Sequence, residues 1–266
     1  MKYKLLELTA RYMRSRMLKI KAPEGAMDVC GTGGTGKNTY NISTAVAFVV
    51  AACGVPVAKH GNIASSSKCG SSDVLRELGV NIHAPKEVVE KCINEIGICY
   101  MHAPNFHPHF KLVGRLRRLF GKRTVFNLLG VLLNPAEVKY QLVGVYNEKP
   151  TSAIRDILCS FGVTNSIAYS CQGYDEVIPD HFTADILKKI EGGNAIENAE
   201  ALLGVLYGDY TPYAECVILN ASYALVVAGK AGDIEEGRAM AIEAIYTGKA
   251  LDKLEQLISY TNEVEL

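Results

Sequence analysis

Five times between residues 26 and 171 a short apolar run ends in a glycine or a polar turn and gives way to a segment of helical spacing. The runs lie in "AMDVCGTGG", "VPVAKHG", "ICYMHA", "YQLVGVYN" and "SIAYSC". "NISTAVAFVVAACG", "SSDVLRELG", "KEVVEKCINEIG", "FHPHFKLVGRLRRLFG" (a basic helix) and "TSAIRDILCSFG" read as helices, most of them closed by glycine. Strands alternating with crossover helices predict an α/β fold, a mostly parallel sheet covered by helices.

The flanks are different. Leu5, Leu6, Leu8, Tyr12, Met13 and Met17 repeat at helical spacing. From Ile196 onward the pattern is helices only. Residues 1–25 are therefore expected to join a small, reduced α-helical subdomain. Residues 26–195 form the α/β domain, and helices of 196–266 pack on the sheet and on the helical part.

Bulk properties exclude several classes. Lys plus Arg and Asp plus Glu both count 28, so the formal charge is zero, which argues against a general nucleic-acid coat. The longest apolar run, "STAVAFVVAACGVPVA", is broken by Gly54 and Pro56 and is too short for a membrane span. The first residues lack the apolar stretch of a signal peptide. Eight scattered cysteines without a C-x-x-C pair suit reduced thiols, so a cytoplasmic location is expected.

"GTGGTGKN", residues 31–38, fits three phosphate loops. The dinucleotide fingerprint G-x-G-x-x-G needs a carboxylate about twenty positions later, and "AACGVPVAKHG" has none. The P-loop needs Ser or Thr after Lys37, and Asn38 stands there. The third reading is a glycine turn whose partners complete an anion site. "NIST" at 41–44 opens a helix, where free backbone N–H groups favour an anion. Thr39, Ser43 and Thr44 add hydroxyls, and "KHGNIASSSKCGSSDVL" adds Lys59, Lys68 and serines. Loops that follow successive strands meet at one sheet edge, predicting a pocket for a large polyanion. "HAPNFHPH" invites a zinc reading through His102, His107 and His109, but Pro104 and Pro108 break the spacing and no cysteine is near. Asp175 and Glu176 in "GYDEV" have solvated loop acids as their lesser reading.

The stretches "DVCGTGG", "NIST", "KHGN", "SSDVLRELGV", "APNFHP", "RTVFNLLGVLLNPA", "QLVGVY" and "GYDEV" stand in the order found in anthranilate phosphoribosyltransferases, which the chain resembles. "LNASYALVVAGKA" and "EEGRAMAIEAIYTGKA" are similar too. The resemblance implies transfer of a phosphoribosyl group from phosphoribosyl diphosphate to anthranilate, with Mg2+, in tryptophan biosynthesis. It assigns the diphosphate donor to Gly31, Gly34, Thr35, Thr39, Asn41, Ile42, Ser43, Thr44, Lys59, Ser67 and Ser71. Anthranilate falls to Gly31, Asn62, Arg117 and His107, and the metal to Ser43, Asp175 and Glu176. A guanidinium suits a carboxylate, and paired carboxylates suit magnesium. The implied partners are these small molecules and a second copy in a homodimer; neither membrane nor nucleic acid is expected. The chain departs from the family pattern at Thr35 (usually Asp), Ile63 (usually Arg), Cys69 (usually Ser) and Val131 (usually Pro). Another acceptor, or a non-catalytic relative that binds a polyanion or nucleic acid, are the alternative readings.

Overall fold

In the computed structural model, which describes residues 2–64, 67–108 and 125–263, five strands form one parallel sheet. They are β1 (Met27–Gly31), β2 (Val57–Gly61), β3 (Ile98–His102), β4 (Tyr140–Gly144) and β5 (Asn165–Tyr169). Their spatial order is β3-β2-β1-β4-β5. The chain works outward from β1 to β3, then returns to the other side of β1 for β4 and β5. The strand order therefore reverses beside β1, and crevices outside the carboxyl ends of strands at such a switch point are where ligands bind. β1 and β4 pair in register from Met27 opposite Tyr140 to Gly31 opposite Gly144, so two glycines lie side by side at the switch.

The helices, numbered along the described chain, are α1 (Lys2–Arg14), α2 (Ile42–Ala52), α3 (Ser71–Glu77), α4 (Lys86–Glu95), α5 (Ala103–Phe106) and α6 (Thr151–Ser160). They continue with α7 (Ala184–Lys188), α8 (Ala195–Leu206), α9 (Pro212–Val227), α10 (Ile234–Tyr246) and α11 (Lys249–Asn262). The basic helix expected over 106–121 falls mostly outside the described residues; 103–106 form only a single turn.

Helix α2 is buried along nearly its whole length, which explains why its sequence is apolar all round rather than striped. It packs against the sheet on one side and α9, α10 and α11 on the other, within the main core. A second core gathers Leu6, Ala10 and Met13 of α1 with Leu128–Leu133 and with Ile154, Ile157 and Leu158 of α6. The C-terminal helices thus cover α2, whereas α1 covers the opposite region near two short 3-10 turns, Val125–Leu128 and Gly130–Leu132. Two apolar layers fix the sheet edge on which the site is built.

Candidate functional site

A cleft of about 290 Å³ opens at the carboxyl ends of β1 and β2. The loop after β1 forms one wall. Gly33 and Gly34 have φ of 65° and 73°, a left-handed turn that a side chain disfavours and that turns the backbone toward the cleft. The turn does not run into a helix at Lys37, as a P-loop would. Thr39 forms an antiparallel bridge with Glu191, and α2 begins only at Ile42. Lys37 lies over the Tyr174 ring at 5.1 Å.

Gly31 and Gly144 make room for an acidic segment. A Cβ on Gly144 would overlap the carbonyl of Asp175, and one on Gly31 would overlap its carboxylate. Asp175 Oδ2 accepts the Gly33 N–H at 2.7 Å, and Thr39 donates its hydroxyl to Glu176 Oε1 at 3.4 Å. Glu176 Oε2 is buried and has no hydrogen-bond partner among the described residues. Burial pushes the Asp175 carboxyl up; burial and the neighbouring Asp175 charge push Glu176 well up. Two neighbouring buried carboxyl groups, both pushed up, are in the condition that a bound cation relieves.

The floor carries a buried charge. Lys59, the middle residue of β2, is 3% exposed and donates from Nζ to the Val29 carbonyl at 2.7 Å and to Ser43 Oγ at 3.2 Å. Beneath it lies Asp28, 1% exposed, whose Oδ1 accepts the His60 N–H at 3.4 Å. Burial pushes the Lys59 ammonium down and the Asp28 carboxyl up, and each charge opposes the shift of the other. Asp28 is a site residue that the sequence reading missed. Its only signal was a carboxylate inside an otherwise apolar strand, one residue before the Val29 carbonyl that holds the lysine.

The start of α2 supplies Asn41, Ile42, Ser43 and Thr44, all at the cleft. Thr44 Oγ1 is buried without a partner among the described residues. Asn41 is braced from the C-terminal helices: Asn198 of α8 donates to its Oδ1 at 2.8 Å and the Tyr213 hydroxyl of α9 donates to its carbonyl at 3.2 Å. Asn220 of α9 braces the acidic segment. Its Oδ1 accepts the Val177 N–H at 3.0 Å and its Nδ2 donates to the Val177 carbonyl at 2.8 Å. The signal for these residues was a polar amide in an apolar helix, which alone does not say what it holds.

Thr35 lines the cleft and its Oγ1 accepts the Lys37 N–H at 3.1 Å, so it steadies the loop. Ser67, Asn62 and Ser71 line the far side. Asn62 Oδ1 accepts the Ile63 N–H at 2.8 Å. His60 also faces the cleft. Burial pushes its imidazole well down, so it is neutral, and its Nε2 has no partner among the described residues. His107 does not line the cleft: it is buried edge-on to His60, ring centroids 5.0 Å apart, and supports that ring from behind. Arg117 lies outside the described residues. Every other expected site residue is at the cleft.

A doubly wound sheet, with hydroxyls, backbone N–H groups, a lysine and paired carboxylates at its switch point, defines a protein that grips a polyanionic sugar phosphate. The family model described as "Glycosyl transferase family, a/b domain" matches residues 23–184 and 179–251. Anthranilate phosphoribosyltransferase of Afipia carboxidovorans is 43% identical, the alignment covering 93% of this chain and 80% of that protein. The enzyme of Petrotoga mobilis is 40% identical over 97% of this chain and 82% of its own length. The crystal structure of anthranilate phosphoribosyltransferase from Thermus thermophilus superimposes with a TM-score of 0.91 at 34% identity, covering 98% of this chain and 86% of that one. The Saccharomyces cerevisiae enzyme in complex with PRPP and Mg gives 0.89 at 26%, covering 99% and 81%. The chain belongs to the anthranilate phosphoribosyltransferase family.

Proposed function

We propose that the cleft binds phosphoribosyl diphosphate and magnesium and presents the ribose to anthranilate. The reaction is that of the family, formation of N-(5-phosphoribosyl)anthranilate with release of diphosphate, a step of tryptophan biosynthesis. The donor contacts are Gly31, Gly34, Thr35, Thr39, Asn41, Ile42, Ser43, Thr44, Lys59, Ser67 and Ser71. Residues 26–195 contribute all of them, which makes that span the donor-binding unit. One observation carries the reading: Thr44 Oγ1, His60 Nε2 and Glu176 Oε2, from three separate segments, are buried at one cleft without partners among the described residues. Buried polar groups are costly unless a partner meets them, and a ligand of many oxygens meets several at once.

Asp175 and Glu176 fit magnesium, a hard cation that takes oxygen donors and keeps several waters. No cluster of three or more His, Cys, Asp or Glu suited to a metal exists among the described residues. Asp175, Glu176 and the Ser43 hydroxyl would hold the ion, and diphosphate oxygens and water would supply its remaining oxygen donors. Bound there, the ion supplies positive charge against the departing diphosphate. Ser43 already accepts one hydrogen bond from Lys59, so a single lone pair is left for the metal.

Breaking the C1–O bond leaves positive character on the ribose and negative charge on the diphosphate. Lys59, the glycine-loop N–H groups and the start of α2 are fixed before the reaction where that negative charge grows. The carboxylates of Asp175 and Glu176 keep the ion in place without adding a covalent step. Asn62 and Gly31 border the acceptor side, where the neutral His60 ring and Val131 give an apolar wall for an aromatic amine. The family resemblance assigns the anthranilate carboxylate to Arg117, which lies outside the described residues. The homodimer expected from the family and the cytoplasmic location expected from the scattered thiols belong to the same reading.

The test is decay of anthranilate fluorescence with phosphoribosyl diphosphate. Decay that needs both donor and magnesium, and vanishes in the Asp175→Ala, Glu176→Ala double variant, supports the assignment. A flat trace from folded protein that binds the donor sends the acceptor assignment back to a different amine.

A further inference from the structure

A chain of hydrogen bonds leads from the cleft down into β3. Ser71, the first residue of α3, lines the cleft. Its Oγ lies 2.9 Å from the Tyr100 hydroxyl, which lies 2.6 Å from Ser72 Oγ. Ser72 Oγ in turn lies 2.7 Å from Nδ1 of His102. Ser72, Tyr100 and His102 are all buried. Gly61, at the neighbouring end of β2, leaves the space for this chain: a Cβ there would run into Ser71 Oγ and the Tyr100 hydroxyl.

We infer that Tyr100 and His102 are positioning residues that aim the Ser71 hydroxyl at the phosphoribosyl diphosphate, and that the donor-bound enzyme holds the proton of His102 on Nδ1. The inference rests on the reading of the cleft as the donor site. Each hydroxyl has one proton to give, so the directions of the three bonds are linked. When Nδ1 accepts, Ser72 donates to it, Tyr100 donates to Ser72 and Ser71 donates to Tyr100. The Ser71 proton is then turned away from the cleft. When Nδ1 carries the proton, every bond reverses: His102 donates to Ser72, Ser72 to Tyr100 and Tyr100 to Ser71. The Ser71 proton is then free to point elsewhere, with only a 3.4 Å contact to the Asn62 carbonyl to hold it.

An ionised phosphate oxygen only accepts, so its binding selects the second arrangement. The imidazole moves its single proton from Nε2 to Nδ1 by exchange with water, and net charge is unchanged. Burial pushes His102 down to about 4, so the ring is neutral near pH 7 and has a tautomer to select. The titratable and charged groups acting on it among the described residues are His83, edge-on at 5.4 Å, Asp73 and Arg76.

The decisive measurement is nitrogen-15 NMR of the full chain labelled at histidine, with His102 assigned by its loss in His102→Asn. Phosphoribosyl diphosphate with magnesium is expected to put the His102 proton on Nδ1, while anthranilate alone leaves the tautomer unchanged. Steady-state kinetics form the second arm. Tyr100→Phe and His102→Phe are expected to raise the donor KM about threefold to tenfold, as for a lost neutral hydrogen bond that had turned the Ser71 proton to the donor, with the anthranilate KM unmoved. His102→Asn, which keeps an N–H donor near the Nδ1 position, restores the donor KM. An Nε2–H tautomer in both states of the wild type, or a donor KM unchanged in Tyr100→Phe, overturns the inference while leaving the donor site intact. Wild-type protein that fails to bind the donor in calorimetry overturns the donor-site reading, and the inference with it.

Discussion

Replacing Asp28 by Asn removes a charge but keeps the shape, and so isolates what the carboxylate does for Lys59. In the folded chain both groups are almost fully excluded from water. Removing one member of such a pair leaves the other uncompensated, at a cost of about 3 kcal/mol, the lower end for buried ion pairs because a lysine can shed its proton. For a chain of this size that lowers Tm by about 6 to 12 °C at pH 7. The pH dependence gives the sharper readout. Lys59 already titrates below its ordinary value because it is buried, with Asp28 pulling it back up. Without Asp28 the folded-state value falls further, while the unfolded chain keeps its proton up to the ordinary lysine range. Between those two values the unfolded state binds more protons, so stability rises with pH. The deficit of Asp28→Asn relative to wild type is therefore expected to shrink between pH 7 and 9 in paired urea titrations. Donor affinity moves the other way: the neutral lysine no longer attracts diphosphate, so calorimetry shows the variant losing affinity with pH more steeply than wild type. An Asp28→Asn protein with wild-type Tm and the same pH slope refutes the argument.

Gly144→Ala places a methyl group against the carbonyl of Asp175. Because the overlap falls on backbone, the acidic segment must shift at a cost of about 3 kcal/mol, so both a lower Tm and a higher magnesium requirement in the fluorescence assay are expected. Asn220→Leu removes both bonds to Val177 and leaves its N–H and carbonyl unmet. A loss of about 2–3 kcal/mol in chemical denaturation is expected, again with weaker magnesium dependence of activity. Burial pushes His107 down to about 4. A base whose folded value is depressed stabilises fully above the unfolded value near 6.5, so about 3 kcal/mol is expected to be lost between pH 6.5 and 4, visible as a steep acid branch that His107→Phe flattens. Chelation of magnesium is expected to abolish turnover and to lower Tm only by the small linkage of an ion that binds the folded chain, with both apolar cores kept.

The sheet was legible because each strand ends in a glycine or polar turn and the longer helices announce themselves by periodicity or by a C-terminal glycine, which the short α5 and α7 do not. Local chemistry sets both signals, so β1 to β5 and the start of α2 near "NIST" could be read off directly. Lys59 and the serines that follow it were picked out because loops after successive strands meet at one sheet edge, whereas Asp175 and Glu176 were assigned through resemblance, since a pair of acids in a loop has no signature of its own. What the sequence could not give was the partner of each group. That Asp28 underlies Lys59, that Asn220 clamps the acidic segment and that Tyr100 joins Ser71 to His102 are contacts across dozens of residues. They exist only after β1, β2 and β3 lie side by side and α9 packs in behind the acidic segment. His107 shows the limit from the other side: resemblance put it at the acceptor, and packing put it edge-on to His60, off the cleft lining. Periodicity is written in neighbours along the chain, whereas burial, charge compensation and the direction of a hydrogen bond belong to neighbours in space.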